Sequence, residues 1–268
     1  MDDLVESVKL NGIAQRKHWL SSADEKKAEQ IIRSISTLKG EGKSWFSTNF
    51  ISFLIKFIKF DYKYLIYSFF LLNLAKKLQL KKIAEKIHGS KAKLSGIDCY
   101  CSPKSDEPVL DWHVDNAYSY GMIGAKTPKQ FINPEKNAIK FFFYLTDVST
   151  DNGCLSYIPT SNRIAYALKK GIFEKAINYT PYWSLSDFRK TIQIKYNYDY
   201  IKNIVGENVL REFLQMTSFI DKENSPMHKF DHEMKKGGAV IFDEAGVHRG
   251  SKTKLHERMV LRYLYVKA

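Results

Sequence analysis

The segment Asp111-Trp-His-Val-Asp-Asn-Ala-Tyr118, DWHVDNAY, decides how this chain is read. In an extended strand successive side chains alternate between faces, so His113 and Asp115 share one face while Val114 turns away. An imidazole and a carboxylate held side by side suit two ligands of one metal ion. They suit a surface hydrogen-bonded pair equally well, and this segment alone leaves both readings open.

Outward from this segment the texture is that of strands. LSGIDCYCS, residues 94–102, alternates before it. After it, NAIKFFFYLTDV, residues 137–148, places Ile139, Phe141, Phe143 and Leu145 on one face. Asp151-Asn152-Gly153 supplies a turn, and CLSYIP, residues 154–159, reads as the returning strand of a hairpin. From residue 164 to 236 the alternation gives way to a helical insertion that holds Trp183, Tyr196, Tyr198 and Tyr200. As a lid over an active site, it would help to choose the substrate. GGAVIFDEAGVHRG, from Gly237, and RMVLRYLYV, from Arg258, resume the strands.

Residues 1–92 read as helical. Ser22 with Glu25 forms a capping box, Ala28, Ile31, Ile32 and Ile35 make one apolar stripe, and Gly40 is placed to stop the helix. The stretch from Phe50 to Ile87 is apolar, but Lys56, Lys59, Asp61 and Lys63 interrupt it. The uncharged run Tyr64–Ala75 falls short of the ~20 residues a membrane span requires. Lys56, Lys59 and Lys63 lie at helical spacing, so the segment reads as amphipathic helices packed on a core. Peripheral attachment to an anionic leaflet is the alternative.

The 268 residues can bury a substantial core, and helices followed by many strands imply one α+β unit with strands at 93–163 and 237–268. A net charge of +13 favours anionic company: an acidic surface or a phosphorylated or carboxylated small molecule. Zinc-finger spacing, RNA-binding signatures and an arginine-rich arm are missing, so nucleic acid is not expected as a partner. Cys99, Cys101 and Cys154 lack a framework spacing, which points to reduced thiols. The N-terminal residues lack a signal-peptide pattern, and the expected location is cytoplasmic.

His248, in the segment FDEAGVHRG, adds a third ligand candidate. Two histidines and one carboxylate occupy one face of an octahedron and leave the remaining positions open, the set favoured by non-haem Fe(II) oxygenases. Three segments in this order resemble the phytanoyl-CoA dioxygenase family of Fe(II)/2-oxoglutarate-dependent oxygenases. DWHVD is similar to its Trp-His-x-Asp, and FFFYLTDVSTDNGCLSYIPTSNR to its strand, acidic-Asn-Gly turn and return. GGAVIFDEAGVHRGSKTKLHERMVLRY is similar to its glycine-rich strand start, distal histidine and following arginine.

The resemblance implies a double-stranded β-helix, the jelly roll shared with cupins. His113, Asp115 and His248 would be the iron ligands and thus the catalytic centre. Arg258 would bind the far carboxylate of 2-oxoglutarate, a task that suits a planar guanidinium. Arg262 is its reserve, and Ser251 or Thr253 would donate a hydroxyl to the same carboxylate. Trp112 and Tyr118 are candidate walls of the substrate pocket. The implied reaction consumes O2 and 2-oxoglutarate, releases succinate and CO2, and hydroxylates an unactivated C–H bond. Desaturation, cyclisation or epimerisation at the same iron is the rival, and a non-catalytic membrane-peripheral binding protein is the rival from another class.

Two departures matter. Pro159-Thr-Ser-Asn162 stands where the family often has Pro-Gly-Ser-His. Asp115 is retained, unlike the small residue of halogenating relatives. His228 and His232 stand four apart without a zincin glutamate and read as a solvated surface, and His18, His88 and His256 stay unassigned.

Overall fold

The computed structural model describes residues 2–39, 46–47, 62–115, 133–180, 182–221 and 228–268. Gly40, Lys56, Lys59, Asp61 and Tyr118 lie outside them. The chain opens with α1 (Asp2–Asn11), β1 (Ile13–Arg16), α2 (Ser22–Lys39) and the short β2 (Phe46–Ser47), followed by α3 (Tyr62–Lys77) and α4 (Leu80–His88). Next come β3 (Ala92–Ser102), β4 (Ser105–His113), β5 (Ala138–Tyr144) and β6 (Leu155–Tyr157). Four helices follow, α5 (Ser161–Phe173), α6 (Leu185–Gln193), α7 (Lys195–Val205) and α8 (Glu207–Met216). The chain ends with β7 (Asp231–His232), β8 (Ala239–Asp243), β9 (His248–Thr253) and β10 (Arg258–Lys267).

The strands form two sheets, a six-stranded one in the order β1-β8-β5-β10-β3-β2 and a four-stranded one in the order β4-β9-β6-β7. Their facing sides enclose an apolar interior of Ile13, Phe142, Tyr144, Leu155, Tyr157, Val240, Phe242 and Val260. This is the double-stranded β-helix. On the outer side of the larger sheet, Ile139, Phe141, Phe143 and Leu145 pack with α2, α3 and α4 through Ile31, Ile32, Leu71, Leu74 and Ile83. The period-two pattern of β5 thus separates a helix-covered face from a barrel face.

Three expectations are corrected. The first 92 residues are not purely helical: β1 pairs with β8, Ile13 opposite Phe242, because buried Ile13 and Ala14 extend the sheet at its edge. The capping residue of α2 is Ser21, not Ser22; its Oγ accepts from Asp24 N at 3.2 Å, so the pair is shifted by one residue. Residues 138–157 are not a hairpin. β5 lies between β8 and β10, whereas β6 pairs with β9 and β7 in the other sheet. The Asp151-Asn152-Gly153 turn, with Gly153 at φ 73°, carries the chain between sheets.

Thr160, where the family often has glycine, has a left-handed backbone at φ 64°. It precedes α5 without a side-chain capping bond, so a β-branched residue bears the strain a glycine would avoid. Among the described residues no helix is long and apolar enough to cross a membrane.

Candidate active site

β4 and β9 are antiparallel neighbours with His113 opposite His248, which brings together two histidines 135 positions apart in the chain. β4 ends at His113. Asp115 lies just beyond the strand, and the chain brings its carboxylate back beside the imidazole. Val114 turns the other way into the apolar packing under the insertion. Asp115 Oδ1 lies 3.2 Å from His113 Nε2, and Oδ2 lies 3.5 Å from His248 Nε2. One donor atom from each of the three residues falls within 4.8 Å of the others.

The backbone sets both rings. His113 Nδ1 donates to the carbonyl of Asp111 at 2.6 Å, and His248 Nδ1 donates to that of Gly246 at 2.9 Å. Each bond fixes the tautomer that leaves Nε2 as a lone-pair donor. His113 Nε2 is buried and makes no hydrogen bond, an arrangement that is costly unless the atom has another partner. Two neutral imidazoles and one carboxylate directed at one space could hold Fe(II), so the residues present fit the group.

The electrostatics are arranged for that state. Burial pushes the Asp115 pKa upward, but the adjacent Lys140 ammonium, foremost among its neighbours, outweighs it and holds the carboxyl well below its ordinary value. Burial lowers the pKa of His248, which favours the neutral, ligating ring.

Lys140 is the residue that sequence reasoning missed. It sits on the barrel face of β5, almost wholly buried, with Nζ on Asp115 Oδ2 and 3.4 Å from Glu244 Oε2. Glu244 is itself anchored, accepting from Ala138 N at 2.9 Å. The lysine therefore ties Asp115, after β4, to the turn that delivers His248. Its position between Ala138-Ile139 and Phe141-Phe142-Phe143 was the available signal, since a charge on a buried strand needs partners.

Arg258 begins β10 and is buried, donating from Nη1 to Gly153 O at 3.1 Å. A Cβ on Gly250 would stand 3.5 Å from that Nη1. Gly250 is two residues along β9 from His248 and shares its strand face, and a side chain there would also press on Val109, whose Cβ would be 3.0 Å away. Arg262 is instead ion-paired with Asp98 across the β3–β10 ladder. Ser251 is buried with its hydroxyl 3.5 Å from Cys154 Sγ. Thr253 bonds Pro103 O at 2.6 Å and lines a cavity of about 440 Å³ that Arg258 also lines.

Trp112 is corrected from pocket wall to core. It is buried against Phe219 and Phe230, with Arg249 over its ring at 5.0 Å. Being one residue from His113 on a strand, it faces away from the donors. The insertion brings Trp183 to the site, with its ring 5.9 Å from that of His113 and its carbonyl accepting from Val114 N at 3.0 Å, while Phe242 and Tyr157 of the barrel stand 5.2 and 6.3 Å from the ring of His248. Of the insertion tyrosines singled out, Tyr196 is exposed, Tyr198 packs against the apolar cluster of the insertion and Tyr200 donates to Glu174. His228 is exposed beside Asp231, as a solvated surface requires, whereas His232 is half-buried in β7 opposite Leu155. Cys99, Cys101 and Cys154 are free thiols.

The comparisons with known proteins bear on the family and the fold. The family model for phytanoyl-CoA dioxygenase (PhyH) matches residues 78–254, more than half of the chain. No curated protein matches the sequence significantly. Among solved structures, the non-haem α-ketoglutarate-dependent carbocyclase SnoK from nogalamycin biosynthesis superposes with a TM-score of 0.58 at 13% identity, covering 100% of this chain and 84% of that one. HygX from Streptomyces hygroscopicus, solved with nickel and 2-oxoglutarate, gives 0.56 at 13% identity, covering 100% and 87%. The epimerase SnoN, also from nogalamycin biosynthesis, gives 0.55 at 12%, covering 100% and 82%. At such identities the likeness is one of fold.

Proposed function

This chain belongs to the phytanoyl-CoA dioxygenase family and is a non-haem iron, 2-oxoglutarate-dependent dioxygenase; from that premise we propose that His113, Asp115 and His248 hold the iron and that Arg258 receives the far carboxylate of 2-oxoglutarate. The observation that carries the assignment is the buried His113 Nε2, without a hydrogen bond, beside a carboxylate and a second imidazole at ligand spacing. With 2-oxoglutarate and O2, the bound iron would supply the oxidising power to break an unactivated C–H bond, with release of succinate and CO2.

The chain's own residues do the rest. The carbonyls of Asp111 and Gly246 hold both imidazoles in the ligating tautomer. Lys140 fixes one oxygen of Asp115 and leaves the other to the ion. Arg258, oriented by Gly153, offers a charge-assisted pair to the dicarboxylate. Trp183 supports a role for the insertion in shielding the site from water and shaping what enters it. Ser251 remains a lesser candidate for the co-substrate, since its hydroxyl already faces Cys154.

Hydroxylation of a small or conjugated organic molecule is the reading we adopt, with an anionic or phosphate-bearing substrate favoured by the +13 charge. SnoK and SnoN, a carbocyclase and an epimerase, make ring closure and epimerisation the rival outcomes, and product analysis distinguishes them. An intact donor set disfavours a purely binding role. Three free thiols support a reducing, intracellular setting.

The test is succinate formation from 2-oxoglutarate by the purified chain with Fe(II) under air. Uncoupled turnover is expected without the true substrate, and His248→Ala should abolish it. A variant that still forms succinate at the wild-type rate would remove His248 from the site.

A further inference from the structure

Two surface features meet at one place on the molecule. Helix α3 buries Leu71, Leu74 and Ala75, yet its opposite face is not polar. Leu65, Ile66, Phe69 and Leu72 are 47, 54, 69 and 37% exposed. Single exposed apolar side chains need no explanation, but a row of four along one helix does. Leu65, Phe69, Leu72 and Lys76 follow one another at helical spacing, so the apolar stripe runs into a lysine.

The second feature begins where the first ends. Leu72 and Lys76 form part of the wall of a surface cavity of about 710 Å³, which continues through Lys81 and Lys82 of α4 and Lys93 of β3. Lys81 stands 3.7 Å from Glu85, and the adjacent Lys77 and Lys86 answer Asp24 and Asp2. Among the described residues Lys76 and Lys93 make no ion pair, and Lys82 acts on the Asp2 carboxylate only at longer range.

An apolar row that ends in a cluster of exposed lysines, Lys76, Lys81, Lys82 and Lys93, with Glu85 as the single carboxylate in the cavity wall, matches the boundary of an anionic bilayer, where acyl chains lie beneath a layer of phosphates. A protein partner would need carboxylates in register with the lysines beside an apolar counterpart. A bilayer presents both without any register, and the net charge of +13 adds long-range attraction to it. We infer that α3 and α4 dock this enzyme on an anionic membrane surface, with Phe69 and its neighbours in the interface and Lys76, Lys81 and Lys82 on lipid phosphates.

The docking face and the iron site do not compete. Helices α3 and α4 pack on the outer side of the six-stranded sheet, whereas Trp183 and α5 to α8 stand on the side of the four-stranded one. Docking therefore does not cover the side of the molecule that carries the donors, and the inference stands independently of the chemistry at them.

The test is co-sedimentation of the full chain with phosphatidylcholine vesicles, with and without phosphatidylserine. Binding to the anionic vesicles should exceed binding to the neutral ones by about tenfold or more and weaken as salt is raised. Phe69→Glu and, separately, Lys81→Glu with Lys82→Glu should each reduce it about tenfold. Succinate formation and the melting temperature should stay at wild-type values, because all three side chains are exposed. Equal binding to both vesicles, or none, overturns the inference. So does a wild-type chain that self-associates in solution and becomes monomeric on Phe69→Glu without any change in vesicle binding, which would make this face an interface between copies.

Discussion

The two faces of β5 inhabit different media. Outward, Ile139, Phe141 and Phe143 enter a wholly apolar layer, in which Phe143 lies 5.3 Å from the ring of Trp19 and 5.9 Å from that of Tyr263. Inward, Phe142 and Tyr144 fill the barrel, but Lys140 brings a charge to the donor cluster. One strand therefore contributes stability with one set of side chains and chemistry with the other. The period of two allows this, since neighbours along the chain never share a face. The contrast also explains why the charged residue is tolerated: Lys140 is buried only in company with Asp115 and Glu244.

The comparison breaks most severely on the outer face. Phe143→Ala should destabilise the protein by about 3–5 kcal/mol, read from denaturant midpoints, because it empties a fully buried ring site. Its effect on Fe(II) affinity in the surviving folded fraction should be small. Lys140→Met should do the reverse, weakening divalent-metal binding about 10- to 100-fold by calorimetry as Asp115 loses the partner that orients it. Unchanged affinity in that variant would show that the lysine only fills space.

A third experiment sharpens the contrast through protons. Burial lowers the pKa of His88, behind the helix-covered face, and of His232, on the four-stranded sheet, both below the ordinary 6.5. The native protein then binds fewer protons than the unfolded chain. Its stability is complete above the ordinary histidine value and is lost as pH falls through that value toward the lowered ones. The denaturation midpoint of the metal-free protein should accordingly drop between about pH 7.5 and about pH 5.5. A flat midpoint across that range would contradict the burial of these rings. The smallest effect lies at Thr160, where Thr160→Gly should stabilise the fold by up to about 1 kcal/mol by relieving the left-handed backbone.

Legibility in the sequence varied with the physics involved. Local periodicity revealed the apolar face of β5 and the extended segment that carries His113, because alternation and turn residues are short-range signals, but it joined His248 to the end of β8 whereas that residue opens the separate strand β9. The α2 cap was displaced by one residue because Ser21 and Ser22 both satisfy the local rule and only backbone geometry chooses between them. β1 was hidden because four residues, two buried and two exposed, are too short a pattern to detect. The supposed hairpin failed because turn chemistry reports that the chain reverses, not which sheet it enters.

At the site, His113, Asp115, His248 and Arg258 were recognisable from motif order, and the chain by itself determined that they were the candidates. Only the tertiary structure decided that the β4–β9 ladder sets the two histidines face to face, that Trp183 rather than Trp112 stands beside them, and that Arg262 is already engaged by Asp98. It alone showed Lys140 joined to Asp115 and Glu244. Ligand identity is written in residue type and spacing, whereas partnership between distant side chains depends on strand pairing and burial, which no local stretch of sequence encodes.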